Sequence, residues 1–171
     1  MKFHVTDASL KEFYVTNDDI LHYKFAVNIS VRNSNKLERI SYRNIRIYPY
    51  CYGNYLPWVS LTAFWQGTKN TTLLPLVLFQ GQSPVKLRGS NLKNFNNDQR
   101  DGSYNIYVVM YLTTQLKHAG GAKSGKRDFI VQCELFQLHL LDSSANNQTG
   151  NGGLFRTKKC NVYNDNDSQT Y

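Results

Sequence analysis

LHYKFAVNISVRN, residues 21–33, decides the fold class. Its odd positions hold Leu21, Tyr23, Phe25, Val27, Ile29 and Val31; its even positions hold His22, Lys24, Ala26, Asn28, Ser30 and Arg32. Alternation of period two over eleven residues gives one apolar face and one wet face. A strand does this, whereas a helix would scatter the apolar residues around its circumference.

The rest of the chain reads in the same way. KFHVTDASLKEFYVT (2–16) is a strand with a turn or bend expected near Asp7–Ser9. RNIRIYPYCY (43–52) is another, with Pro49 expected to place it at an edge or a bulge. WVSLTAFW (58–65), TLLPLVLF (72–79), YNIYVVMYLTT (104–114), DFIVQCELFQLHL (128–140) and LFRTKKCNVY (154–163) follow. Within 128–140 the apolar parity changes after Leu135, which a β-bulge would produce. NLKNFNNDQRDG (91–102) reads as a helical turn or a loop, DSSANNQTGNGG (142–153) as a polar loop, and 164–171 as a frayed tail. About seven or eight strands with no long helix imply an all-β domain over 1–163, a two-layer sandwich.

Composition agrees. The 171 residues include twelve tyrosines and nine phenylalanines, and 41% are hydrophobic, which suits an ordered, β-rich chain. No apolar run reaches the ~18 residues that cross a bilayer. No signal peptide opens the sequence, and Met1 is expected to be an added start. The net charge of +8 is scattered; its densest groups are Lys123, Lys126, Arg127 and Arg156, Lys158, Lys159.

GGAKSGKR (120–127) nearly spells a phosphate-binding loop, but Arg127 stands where a Mg²⁺-binding hydroxyl is needed. A strand, not a helix, follows it, so no helix N-terminus would face a phosphate. The stretch reads as a strand connection, and its cations, with those at 156–159, as a candidate contact surface for anions.

No catalytic or metal motif emerges. His4, His22, His118 and His139 lack metal-ligand spacing to one another or to a cysteine, and no H-E-x-x-H, C-x-x-C or G-x-S-x-G occurs. The Asp18–Asp19 pair lies in a turn signal and suits turn chemistry. No catalytic residue, metal or cofactor is expected. A nucleic-acid partner is disfavoured too, for want of a helix-turn-helix, zinc finger or RNP-type motif.

Sequons occur at Asn28, Asn70, Asn147 and Asn166. Asn28 falls on the wet face of its strand and Asn70 and Asn147 in polar loops, where a glycan fits. Of the three cysteines, Cys133 and Cys160 lie on the last two strands, and antiparallel neighbours can bring such a pair within bonding distance. Cys51 would then be a buried thiol. Three reduced core cysteines remain the alternative, as expected in a cytosolic setting.

KFHVTDASLKEF, LHYKFAVNISVRNSNK, AFWQGTKNTT, VQCEL and FRTKKCNV, in this order, resemble the plant non-race-specific-disease-resistance/harpin-induced-like proteins, which carry a late-embryogenesis-abundant type-2 domain. The resemblance covers about residues 2–163. It implies an immunoglobulin- or fibronectin-III-like β-sandwich, without enzymatic activity, outside the plasma membrane and anchored by an upstream helix. It implies a part in pathogen defence, the hypersensitive response and stress responses, by contact with a protein, wall or microbial ligand. The sequons at Asn28 and Asn70 and the two late cysteines sit at matching positions. The sequence starts where the membrane helix would have ended, and is expected to be the extracellular part. The family's Asn-Pro-Asn is here Asn33-Ser34-Asn35, which leaves the turn less fixed and a recognition role for that loop in doubt. The alternative function is a soluble intracellular protein of the same fold that protects other molecules during desiccation.

Overall fold

A computed structural model of the protein describes residues 1–141 and 155–164. These hold twelve strands and one helix, and the strands form two antiparallel sheets. The first sheet begins with β1 (Lys2–Val15) paired to β2 (Ile20–Arg32). In β2 the odd positions from Leu21 to Val31 are all buried, as its alternation requires.

β1 is continuous, with no turn near Asp7–Ser9. Its register slips between Val5 and Asp7 and again between Leu10 and Glu12. Each slip inserts an extra residue and reverses the inward parity, so Phe3 and Val5, then Leu10, then Phe13 all reach the core. The β1–β2 turn is closed by the Thr16 hydroxyl, which donates to the Asp18 carboxylate and holds that acid below its ordinary value.

The second sheet centres on β3 (Glu38–Cys51). Pro49 does not put β3 at an edge. The strand is flanked on one side by β9 (Ser103–His118) and on the other by β4 (Asn54–Tyr55), β5 (Val59–Leu61) and β6 (Phe64–Gln66). Pro49 lies where β3 changes partner from β5 to β4, a place that needs no ladder N–H from it. The bulge of β3 is earlier, at Asn44, whose φ is +51°.

The remaining strands are more numerous than the sequence suggests. Residues 58–65 divide into β5 and β6, and Pro75 separates β7 (Thr71–Leu73) from β8 (Val77–Pro84), both of which pair with β2. β10 (Arg127–His139) pairs with β9 and carries the anticipated bulge, between Leu135 and Leu138 with Gln137 at φ +55°. The last segment serves both sheets. β11 (Lys158–Lys159) pairs with β1, and β12 (Asn161–Asn164) pairs with β10. Asn164, assigned by sequence to the tail, closes β12 opposite Phe129. The parallel bridge from Leu10 to Leu140 joins the sheets again along the β1 and β10 side.

Residues 91–102 form most of a real helix, α1 (Gly89–Asp101). It has no β-branched residue and stops at Gly102, whose φ of +64° lets its N–H reach the carbonyls of Asp98 and Gln99. Its one buried side chain, Phe95, packs beside Phe13, Tyr52 and Tyr104. This aromatic knot lies at one end of a single apolar cluster drawn from both sheets. Full burial of each such side chain contributes roughly 1.5–3 kcal/mol.

The Asn33–Asn35 loop is built into the other end. Asn33 is fully buried. Its Nδ2 donates to the carbonyls of Glu38 and Gly67, both at 2.9 Å, and its Oδ1 accepts from the Asn35 N–H. Asn35 Oδ1 in turn accepts from the N–H groups of Leu37 and Glu38. Beside it, buried Gln66 accepts from the Tyr42 hydroxyl and donates to Val31, Asn70 and Thr72. Two asparagines thus fix a turn that Ser34 alone would leave loose.

Candidate functional site: an aromatic face and its groove

In the second half of β3 the inward residues are Ile45, Ile47, Pro49 and Cys51, so Arg46, Tyr48 and Tyr50 point outward; Tyr52 follows the strand at φ +47° and packs against Phe13 and Phe95. The same alternation turns Asn105, Tyr107 and Tyr111 of β9 outward. On β10 alternation after Leu135 puts Phe136 on this outer face, where it is 41% exposed, and the bulge returns Leu138 to the core.

The rings touch in sequence. Phe136 meets Tyr107 at 5.5 Å between centroids, Tyr107 meets Tyr50 at 6.2 Å, and Tyr50 meets Tyr55 at 4.7 Å. Tyr48 then bridges Tyr55, Trp58 and Tyr111, and the Arg46 guanidinium lies over Trp58 at 5.6 Å. Tyr55 and Trp58 are among the more exposed large side chains, at 57% and 49%. Burial, and then the Glu134 carboxylate, raises the Tyr107 phenol above its ordinary value.

At the Tyr50–Tyr52 end the helix α1 stands over the sheet, and an open groove of about 1110 Å³ runs between them. The helix contributes Asn91, Asn94, Asn97, Asp98 and Asp101 to it. The floor is tied to the wall. Tyr52 donates its hydroxyl to Asp98 Oδ2 at 2.6 Å, and Asn105 Nδ2 donates to the same oxygen at 3.1 Å. Asn105 Oδ1 accepts the Gln137 N–H at 3.0 Å, which fixes the bulge next to Phe136. Burial, then the bond to Asp98, pushes the Tyr52 phenol far up. Gly53, at φ +81°, closes the other end. A Cβ there would lie 2.6 Å from Asn91 Nδ2, which would have to swing away, and the left-handed φ itself favours glycine.

None of the sequence-derived candidates lines this groove. Cys133 and Cys160 are joined in a disulfide, at the point where the last segment crosses between sheets. Cys51 is a buried free thiol, its pKa raised to about 12 by burial. Asn28 is half-buried on the outer face of β2, and Asn70 is exposed before β7. Asn147 and Asn166 lie outside the described residues. Lys123, Lys126 and Arg127 sit exposed at the β9–β10 connection. Lys158 sits elsewhere, its Nζ donating to the Phe136 carbonyl and lying over the Phe136 and Phe155 rings. Arg156 and Lys159 are exposed beside it. The two basic groups are therefore separated by most of β10, roughly 30 Å of strand from Arg127 to Phe136, and do not make one patch. Two signals for the groove are present in the sequence: the tyrosines at 50 and 52, and the polar residues at 91, 94, 98 and 101, one helix face.

No protein-family model matches the chain. It is 36% identical over 159 residues to NDR1/HIN1-like protein 10 of Arabidopsis thaliana, spanning 92% of this chain and 68% of that protein. It is 33% identical over 164 residues to NDR1/HIN1-like protein 3 of the same plant, spanning 95% and 67%, and 28% identical over 160 residues to NDR1/HIN1-like protein 2, spanning 94% and 64%. The chain thus spans about two thirds of the length of these relatives. Among solved structures, the solution structure of AT1g01470 from Arabidopsis thaliana matches over 83% of this chain and 84% of that one, at 16% identity and a TM-score of 0.31.

Proposed function

Because this chain belongs to the NDR1/HIN1-like protein family of plants, we propose that it is the extracellular, non-enzymatic, ligand-binding part of a plasma-membrane-anchored protein of plant defence and stress responses, including the hypersensitive response. The observation that carries this reading is the disulfide between Cys133 and Cys160. Such bonds persist in oxidising compartments and are rare in a reducing cytosol. Exposed Asn70 and half-buried Asn28 support it, since both are open to a glycan. In this reading the anchor belongs to an upstream segment; among the described residues no helix is long and apolar enough to cross a membrane.

In this reading the two sheets are a variant of the immunoglobulin or fibronectin-III sandwich of the late-embryogenesis-abundant type-2 kind. The partner, a protein, a wall component or a microbial molecule, is met on the aromatic face rather than on the scattered cations. The test is topology in the plant. The full-length protein is expressed in leaf cells, and intact protoplasts are treated with protease. Release of this domain, with glycan mass at Asn28 or Asn70, is the expected result. A domain protected in intact protoplasts and free of glycan overturns the reading and favours an intracellular stress protein.

A further inference from the structure

The geometry points to a ligand for the groove: we propose that it binds a neutral pyranose oligosaccharide. The inference deepens the ligand-binding reading above and rests on it for its biological setting, but its chemistry stands on the groove alone.

Two kinds of wall face each other. On the sheet side, Tyr50, Tyr107 and Phe136 form a row of rings across three neighbouring strands, each edge-to-face with the next at centroid spacings of 6.2 and 5.5 Å, so adjacent rings do not share one stacking plane. A pyranose ring has an apolar C–H face of about the same width as an aromatic ring, and such faces stack on one another without the loss of any hydroxyl hydrogen bond. On the helix side, Asn91, Asn94, Asp98 and Asp101 recur about once per turn, roughly every 5 Å. Each amide offers both donor and acceptor groups, and each carboxylate accepts, which is what the edge of a polyol requires.

Charge selects within the saccharides. The chain carries a net +8, yet the groove holds Asp98 and Asp101 and neither lysine nor arginine. A polyuronate, a phosphorylated ligand or a nucleic acid would meet two carboxylates, offset only by Lys158, which lies over the Phe136 ring and is bonded to the Phe136 carbonyl. A neutral sugar instead donates hydroxyls to them, and bonds to a charged acceptor are stronger than neutral ones.

Size and topology narrow it further. At about 1110 Å³ the groove slightly exceeds the roughly 300–1,000 Å³ range of small-molecule sites. It is also open, which suits several linked rings better than one. An extended peptide would seek an unpaired strand edge, and β9 offers none, since it lies between β3 and β10. The floor is rigid before any ligand arrives, since Asp98, Asn105, Tyr52 and the Gln137 N–H are already bonded together. The ligand therefore meets preorganised groups.

The test is calorimetric titration of this 171-residue chain with cellohexaose, chitohexaose and laminarihexaose, and separately with polygalacturonate. At least one neutral hexasaccharide is expected to bind with a Kd of about 1 mM or tighter, unchanged in roughly 0.5 M salt. Phe136→Ala and Asn94→Ala, both at exposed side chains, should each weaken it about fivefold or more while the melting temperature holds. Absence of binding by all three neutral sugars overturns the proposal, as does binding that both variants leave intact. Salt-sensitive binding of polygalacturonate alone, lost on neutralising Lys123, Lys126 and Arg127, overturns the groove and leaves the ectodomain standing. Neutral-sugar binding by a domain that proves intracellular leaves the groove standing and overturns the ectodomain.

Discussion

Cys133, in the middle of β10, is bonded to Cys160 at the one residue where the last segment leaves the β1 sheet and joins the β10 sheet. On either side of Cys160 the chain has little to hold it: β11 has two residues and β12 four. The Cys160 N–H donates to the Phe3 carbonyl at 2.9 Å, so the bond fastens a segment that already straddles both sheets. The crosslink closes a separation of 27 residues in sequence. Replacing both cysteines by serine should cost roughly 2–4 kcal/mol and lower the melting temperature by about 5–15 °C. Calorimetry checks this. A melting temperature unchanged by the double substitution would mean that β11 and β12 hold without the bond.

Asp98 should anchor the helix α1 to the sheet. Asp98→Ala removes the shared acceptor of Tyr52 and Asn105 and leaves the buried Tyr52 hydroxyl without that partner. The expected loss is about 1–3 kcal/mol. Amide exchange should locate it, with faster exchange in 89–101 than in β2. Uniform acceleration across the molecule would argue against a local anchor.

Asn33 should be costlier to lose. Asn33→Ala strands the Glu38 and Gly67 carbonyls and the Asn35 N–H in a buried turn, and a fall of about 2–4 kcal/mol in urea unfolding is expected. Ser34→Ala, at an exposed side chain, should change stability by no more than about 0.5 kcal/mol. Equal effects would remove the asparagine from its structural role.

Gly53→Ala meets two obstacles, a left-handed φ of +81° and the Asn91 amide at 2.6 Å. A loss of about 1–2 kcal/mol is expected. Adding Asn91→Ala should restore part of it, because only the steric share involves Asn91. Full restoration would mean that the backbone conformation costs nothing.

Alkali should unfold the protein. Burial raises the pKa of Cys51 from 9.0 to about 12, and raises the phenols of Tyr23, Tyr42, Tyr52 and Tyr104 above 10.0. Each group stays protonated in the fold while the unfolded chain would release its proton. Their contribution is therefore fully present below pH 9 and is lost as pH rises through the folded values. The urea midpoint should fall steadily above about pH 9, and Cys51→Ala should flatten the first part of that fall. A midpoint constant up to pH 11 would contradict the burial of these groups.

The strands that carry a clean period were legible, β2 most clearly, and the parity change after Leu135 correctly marked the bulge of β10. The parity changes in β1 were read as a turn, because a bulge and a turn both break alternation. The helix α1 was nearly invisible, since it buries only Phe95 and its other faces are polar. Cys160 changes sheets within one residue, which no period can report. The groove was hidden for another reason. In the second half of β3 the inward positions are Ile45, Ile47, Pro49 and Cys51 and the outward ones Arg46, Tyr48 and Tyr50, so Arg46 alone marks the wet face and the tyrosines beside it look as apolar as the core.

The most direct measurement is the thiol count of the protein as it exists in the plant. Leaf tissue expressing the full-length chain is quenched in acid, free thiols are alkylated under denaturing conditions, and the domain is weighed by intact mass after deglycosylation. The account predicts alkylation at Cys51 alone, with Cys133 and Cys160 recovered as a crosslinked peptide. Alkylation of all three cysteines would place the domain in a reducing compartment and contradict it.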